Sequence, residues 1–291
     1  MTKNIYIDCY PCLLRQALDA VGFLDLDEVS TKKIIDETLL SLINMDDGLT
    51  SSEIAARIHH NIAREGEGKD PYLKAKQDSL EKAFELFDFA QHIVQISDDP
   101  LETALKLCTA GNIIDFGPSS DFDLRAAIEH VLNVHFTPFD YSAFKERLDH
   151  ACHILFLADN AGETVFDRLL IEQIAKPLTY VVKKDAIMND ALYIDAQKTM
   201  LPEYVKIIDN GTAIQGTLLS HCSQEFMEEF QAADLIISKG MANFETLPYE
   251  GKRSFFLLKI KCKPIARLSG IPYESFVLKQ AGLLFDREQG N

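Results

Sequence analysis

Residues 154–163 read Ile154-Leu155-Phe156-Leu157-Ala158-Asp159-Asn160-Ala161-Gly162-Glu163. A short, continuously apolar run ends abruptly in two oxygen-bearing side chains and a glycine. Such a run reads as a strand buried on both faces. The polar break marks its carboxyl end, with Asp159 and Asn160 suited to cap a following helix. The same texture recurs at Asn112–Phe116, Thr179–Val182, Val205–Ile208, Leu235–Ile237 and Phe255–Leu258, with helix-like sequence between the runs. Strands alternating with helices predict an α/β fold: a three-layer α/β/α, Rossmann-like, mainly parallel sheet.

Upstream of residue 110 the texture is helical. Cys12, Leu13, Ala17, Leu18 and Val21 recur at helical spacing. A second helix is expected over 29–45, and a third begins at Thr50-Ser51-Ser52-Glu53, a capping pattern. Asp70-Pro71 opens a long helix, with Pro71 in its first turn and an apolar stripe from Leu73 to Val94. The chain thus divides into an all-helical domain, residues 1–108, and an α/β domain, residues 109–291, that carries the site.

Composition limits the function. The 291 residues are 47% hydrophobic and 25% charged, enough for a sizeable core. The net charge of −16 is spread along the chain, which argues against duplex nucleic acid and anionic membranes as partners. A phosphorylated substrate would need local help from a divalent cation and a lysine or two. No run of about 18 apolar residues suggests a membrane span, and the first twelve residues lack the pattern of a signal peptide. Six scattered cysteines suit a reducing compartment, so a cytoplasmic location is expected.

Ligands of open α/β sheets bind beyond the carboxyl ends of the strands. There the sequence offers Asp115 and Gly117, then Asp159-Asn160, then Lys183-Lys184-Asp185 with Asn189-Asp190, then Asp209 to Thr212, then Lys239-Gly240. Asp159, Asn160 and Asp190 supply hard oxygen donors for Mg²⁺, Mn²⁺ or a similar octahedral cation, with Asn189 or Asp185 as lower-ranked substitutes for Asp190. Asp and Asn at such a position also serve as plain helix caps. Lys239 followed by Gly240 can hold a phosphate oxygen, and Gly216-Thr217 can add backbone and hydroxyl donors. Surface lysines and ordinary turns explain the same residues without a ligand. Gly162 would let backbone approach a ligand closely. No GxxxxGK[ST] and no GxGxxG is present, which removes the main support for P-loop and dinucleotide-binding readings. Cys9-x-x-Cys12 is open between half a metal site, a redox pair and two small residues on a helix, with Cys262 a distant third partner.

Six motifs in order carry a resemblance: Asp8-Cys9-Tyr10-Pro11-Cys12, Asp70-Pro71-Tyr72 with Lys76, Gly111-Asn112-Ile113-Ile114-Asp115, Asp159 to Glu163, Asn189-Asp190, and Lys239 to Glu245. Together they resemble the damage-control phosphatase family, domain of unknown function 89, in its branch with an N-terminal CxxC. The likeness covers nearly the whole chain. It implies a helical region packed on an α/β/α domain and a divalent metal (Mn, Mg, Co or Ni) held by Asp159, Asn160 and Asp190. It also implies phosphate contacts from Lys239 and Asn112, and a small phosphorylated metabolite as substrate. Leu192 and Met241-Ala242 depart from the family pattern, which bears on substrate choice more than on the metal site.

The expected reaction is phosphomonoester hydrolysis on sugar phosphates, nucleotides or damaged phosphometabolites. The attacking group is either a water acidified by the cation or a free aspartate oxygen, with Asp115 or Glu163 as base or water-ordering group. The rival readings are a methyltransferase on an acidic substrate, a non-enzymatic metal- or nucleotide-binding module, and a thiol–disulfide protein built on Cys9 and Cys12.

Overall fold

The computed structural model of the chain describes residues 5–45, 48–110, 124–247 and 251–282. The amino-terminal third is helical throughout its described residues: α1 (Cys9–Gly22), α2 (Glu28–Ile43), α3 (Ser51–Glu65), α4 (Leu73–Ile96) and α5 (Pro100–Ala110). Helices α2 and α3 begin at side-chain caps that the sequence supplies. Asp27 accepts the Ser30 amide at 2.7 Å ahead of α2. Thr50 and Glu53 cap α3 reciprocally, through Glu53 N to Thr50 Oγ1 at 3.2 Å and Thr50 N to Glu53 Oε2 at 2.8 Å. Asp70 accepts the Tyr72 amide at 2.9 Å in a turn, so Pro71 precedes α4 rather than lying in its first turn.

The α/β part runs α6 (Leu124–Asn133), α7 (Tyr141–His150), β1 (Ile154–Leu157), α8 (Thr164–Ile174), β2 (Leu178–Val182), α9 (Tyr193–Lys198), β3 (Val205–Asp209), α10 (Gln224–Ala232), β4 (Leu235–Lys239), α11 (Met241–Thr246), β5 (Ser254–Lys259), α12 (Lys263–Ser269) and β6 (Phe276–Gln280). The strand order is β3-β2-β1-β4-β5-β6; the first five are parallel, and β6 pairs antiparallel with β5. Five expected strands are found within a residue or two at each end. The sixth, Asn112–Phe116, lies outside the described residues. β6 carried no expectation: it is a short run that ends in Lys279 and Gln280. Its outer edge is not bare, because Thr137 N bonds Phe276 O and Leu278 N bonds Pro138 O.

Alternate residues of each strand leave by opposite faces, as a pleated strand requires. Ile154, Phe156, Tyr180, Ile237 and Phe255 face α4, α5, α7 and α8, whereas Leu155, Leu157, Ile236 and Phe256 face α10, α11 and α12. The result is three layers, helices on both sides of a mainly parallel sheet. Each fully buried Phe, Leu or Ile here contributes roughly 1.5–3 kcal/mol over its exposed state.

The helical third does not stay apart as a block. Leu80, Ala83, Phe87, Ala90 and Val94 of α4, with Leu105 and Cys108 of α5, join the sheet's own core. Only α1, α2 and α3 keep a separate core, around Leu13, Ile34, Ile58 and Tyr72. Within the described residues a packing seam therefore falls near residue 72, between the core of α1 to α3 and the core shared by α4, α5 and the sheet. Among the described residues no helix is long and apolar enough to cross a membrane.

Candidate active site

The strand order reverses between β1 and β4, and such a switch point opens a crevice at the carboxyl ends of the two strands. β1 delivers Asp159 and Asn160 to it. The loop after β2 is stitched alongside by Ala161 N to Asn189 O at 2.9 Å and Ala191 N to Asp159 O at 2.8 Å, which forms a bridge between Asn160 and Asp190. Backbone bonds thus bring together three side chains that the sequence holds thirty residues apart.

β4 closes the other side. Gly240 has φ +81°, and a Cβ built on it would fall 2.1 Å from Asp159 Oδ2. The glycine is needed because the Asp159 carboxylate lies against its Cα. Gly162 also has its close neighbour in the protein: a Cβ there would meet Ser79 Oγ of α4 at 2.5 Å. The approach expected from a ligand is made by helix α4.

The electrostatics are those of crowded acids. Burial, with the Glu163 and Asp190 carboxylates, pushes the Asp159 carboxyl well above the usual range; Lys239 and Lys261 oppose this. The Asp159 carboxylate has no hydrogen bond or ion pair among the described residues. Asp190 is 3% exposed, with Lys183 Nζ 3.7 Å from its Oδ2. Lys183 also bonds the Gly216 carbonyl, and burial pulls its ammonium pKa down. Asn160 Nδ2 donates to Glu163 Oε1 at 2.8 Å, which directs the amide oxygen the other way. Among the described residues no three His, Cys, Asp or Glu side chains form a metal-ligand group. A cation here would take Asp159 and Asp190 as carboxylate donors and the Asn160 amide oxygen as its third. Hard oxygens and crowded carboxylate charge fit a divalent cation of the Mg²⁺ or Mn²⁺ kind.

The other expected residues fare differently. Lys239 is fully buried, with Nζ 2.8 Å from Glu163 Oε2 and 2.6 Å from Asp167 Oδ1. A cation so enclosed is not placed to hold a phosphate oxygen. Burial works against its charge, but Asp167, Cys108 and Glu163 hold its pKa well above the usual value. Glu163, 1% exposed, spends its oxygens on Asn160 and Lys239, so it stands behind the site rather than at a substrate. Asp167 is itself held by Tyr180 OH at 2.7 Å and Cys108 Sγ at 3.1 Å. Thr217 donates its hydroxyl to Asn243 Oδ1 at 2.7 Å and is buried. Gly240 packs on Asp159 and does not line the cavity. Asn112 and Asp115 lie outside the described residues.

Above Asp159, Asn160 and Asp190 opens a cavity of about 580 Å³. Its other walls include Cys9, Cys12 and Gln16 of α1, Glu245 of α11, and Lys261, Cys262 and Lys263 at the start of α12. Lys261 and Lys263 are the cations of this wall. The sequence alone assigns no role to Lys261, Lys183 or Asp167. Lys183 stands at the carboxyl end of β2, and Lys261 follows β5, so the same strand-end rule applies to both.

Comparison with known proteins identifies the family. The chain matches the Damage-control phosphatase ARMT1-like domain over residues 5–275. It is 34% identical over 285 residues to an uncharacterised protein of Methanocaldococcus jannaschii, covering 93% of each chain. It is 37% identical over 214 residues to a damage-control phosphatase of Pyrococcus horikoshii (72% of this chain, 74% of that one). A damage-control phosphatase of Archaeoglobus fulgidus is 30% identical over 286 residues, covering 93% of this chain and 97% of that one. The crystal structure of the Pyrococcus protein, described as a DUF89 family protein, superposes with a TM-score of 0.88 at 30% identity, covering 96% of this chain and 99% of that one. On the match to the family model and these relatives, the chain belongs to the family of the Damage-control phosphatase ARMT1-like domain.

Proposed function

We propose that the protein is a metal-dependent phosphatase that hydrolyses phosphomonoesters of small metabolites in the cytoplasm. The observation that carries this is the convergence of Asp159, Asn160 and Asp190 beneath one cavity, with the Asp159 carboxyl pushed up by burial and by its acidic neighbours and unpaired among the described residues. Relatives named damage-control phosphatases support the phosphatase reading. A divalent cation (Mn²⁺, Mg²⁺, Co²⁺ or Ni²⁺), when bound, supplies positive charge for the phosphoryl oxygens and acidifies water. Asp159, Asp190 and the Asn160 oxygen hold it, and Glu163 fixes the Asn160 amide. Lys261, exposed on the cavity wall, takes the role of neutralising a phosphate oxygen that Lys239 was expected to fill. A cavity of about 580 Å³ suits a sugar phosphate, a nucleotide or a phosphorylated cofactor fragment.

Turnover of p-nitrophenyl phosphate tests this. EDTA-stripped protein should be silent, added Mn²⁺, Mg²⁺, Co²⁺ or Ni²⁺ should restore hydrolysis, and Asp159→Ala should stay silent with its circular dichroism unchanged. Equal turnover with and without metal would remove the metal from the mechanism. No turnover under any condition would favour a binding module.

A further inference from the structure

Glu245 stands on the cavity wall with no assigned task. It lies on α11, which starts directly after β4 and is pinned to both strands that build the site. Asn243 Nδ2 donates to Lys239 O at 2.8 Å and to Ala158 O at 3.4 Å. The place of Glu245 relative to Asp159 is therefore set by short, buried bonds. Its carboxyl has no hydrogen bond and no ion pair among the described residues. The titratable and charged groups that line the same cavity are Asp8, Cys9 and Cys12 at the start of α1, Asp159 and Asp190 on its floor, Lys261, Cys262 and Lys263 at the start of α12, and Tyr273. Asp8 is engaged with Arg267 at 3.3 Å. Cys9, Cys12 and Cys262 each feel the Glu245 charge, and burial above all raises all three thiols.

We propose that Glu245 is a catalytic general acid, which donates its proton to the leaving alcohol oxygen of a phosphate ester seated over Asp159, Asn160 and Asp190. This rests on the phosphatase reading above. As the incoming oxygen bonds to phosphorus, the bond from phosphorus to the alcohol oxygen breaks, and the Glu245 proton goes to that oxygen. The product is a neutral alcohol. The proton released from the attacking water restores the carboxyl, so the sum is ester plus water giving alcohol plus phosphate. Burial pushes the Glu245 carboxyl up to about 7, where proton donation near neutral pH is most effective.

Metal-loaded Glu245→Gln distinguishes this role by leaving group. p-Nitrophenolate departs near neutral pH without a proton, whereas an alkoxide such as that of glycerol 2-phosphate does not. The variant should keep kcat on p-nitrophenyl phosphate within about tenfold and lose about 10²-fold or more on the alkyl ester, the usual span of general acid catalysis. Glu245→Asp should recover part of the alkyl activity. Equal loss on both esters, or loss on neither, overturns the proposal. Should the Gln variant not fold, wild-type kcat must fall above pH about 7 for the alkyl ester alone, and parallel profiles overturn the assignment. A wild type that hydrolyses neither ester overturns the phosphatase reading itself.

Discussion

At the scale of single residues, a methyl group at position 240 separates an ordered Asp159 from a displaced one. Gly240→Ala would set a Cβ 2.1 Å from Asp159 Oδ2 on a backbone at φ +81°. The strained backbone alone costs on the order of 1–3 kcal/mol. The expected outcome is a folded protein whose Mn²⁺ affinity falls about tenfold or more, measured by electron paramagnetic resonance of free Mn²⁺; an unchanged affinity would mean that the Asp159 position does not matter. Asp159, Asn160 and Asp190 were legible because the rule that ligands sit at strand ends needs only the strand positions. The fate of Lys239 was not. Its partner Asp167 is one acidic residue on an amphipathic helix, and nothing in spacing shows that this face of α8 turns inward to meet Tyr180 and Cys108.

Elements follow the same division between local and non-local signals. The α3 start was readable because a capping box is contained in four residues. Thr50→Ala removes the side chain that Glu53 N bonds and should cost ~1 kcal/mol, seen as a lower urea midpoint with an unchanged slope. β6 escaped because a five-residue edge strand ending in Lys279 and Gln280 looks like loop sequence; its partner β5 defines it. The placement of α4 and α5 against the sheet was equally hidden, since an apolar stripe says that a helix is buried but not against what. Lys239 ties β4 to α8 and to the turn that follows β1. Lys239→Met should leave Glu163 and Asp167 buried without their cation and cost about 3–5 kcal/mol. Chemical denaturation measures that loss, and a cost under about 1 kcal/mol would show that the pairing contributes little.

For the whole molecule, acid stability reports on buried groups that the net charge of −16 does not describe. His59 is 6% exposed, its Nε2 has no hydrogen-bond partner among the described residues, and burial lowers its pKa from 6.5 to about 4. The unfolded chain takes up that proton below pH 6.5 and the folded chain does not until about 4, so stability falls as pH drops through this window, by up to about 3 kcal/mol. Glu245 acts oppositely: its folded carboxyl keeps a proton up to about 7 against 4.5, so its contribution falls as pH rises between those values. The difference between wild type and His59→Gln therefore isolates the histidine, and the variant should lose less stability than wild type between pH 6.5 and 5. Over the same molecule, the sheet order puts β1 beside β4, and everything proposed about function hangs on the oxygen cluster at that junction. Mn²⁺ titration of the EDTA-stripped protein, followed by electron paramagnetic resonance, tests that cluster most directly. One Mn²⁺ should bind per chain in the wild type and none in folded Asp159→Ala; equal binding in both proteins would place the cation elsewhere and contradict the site.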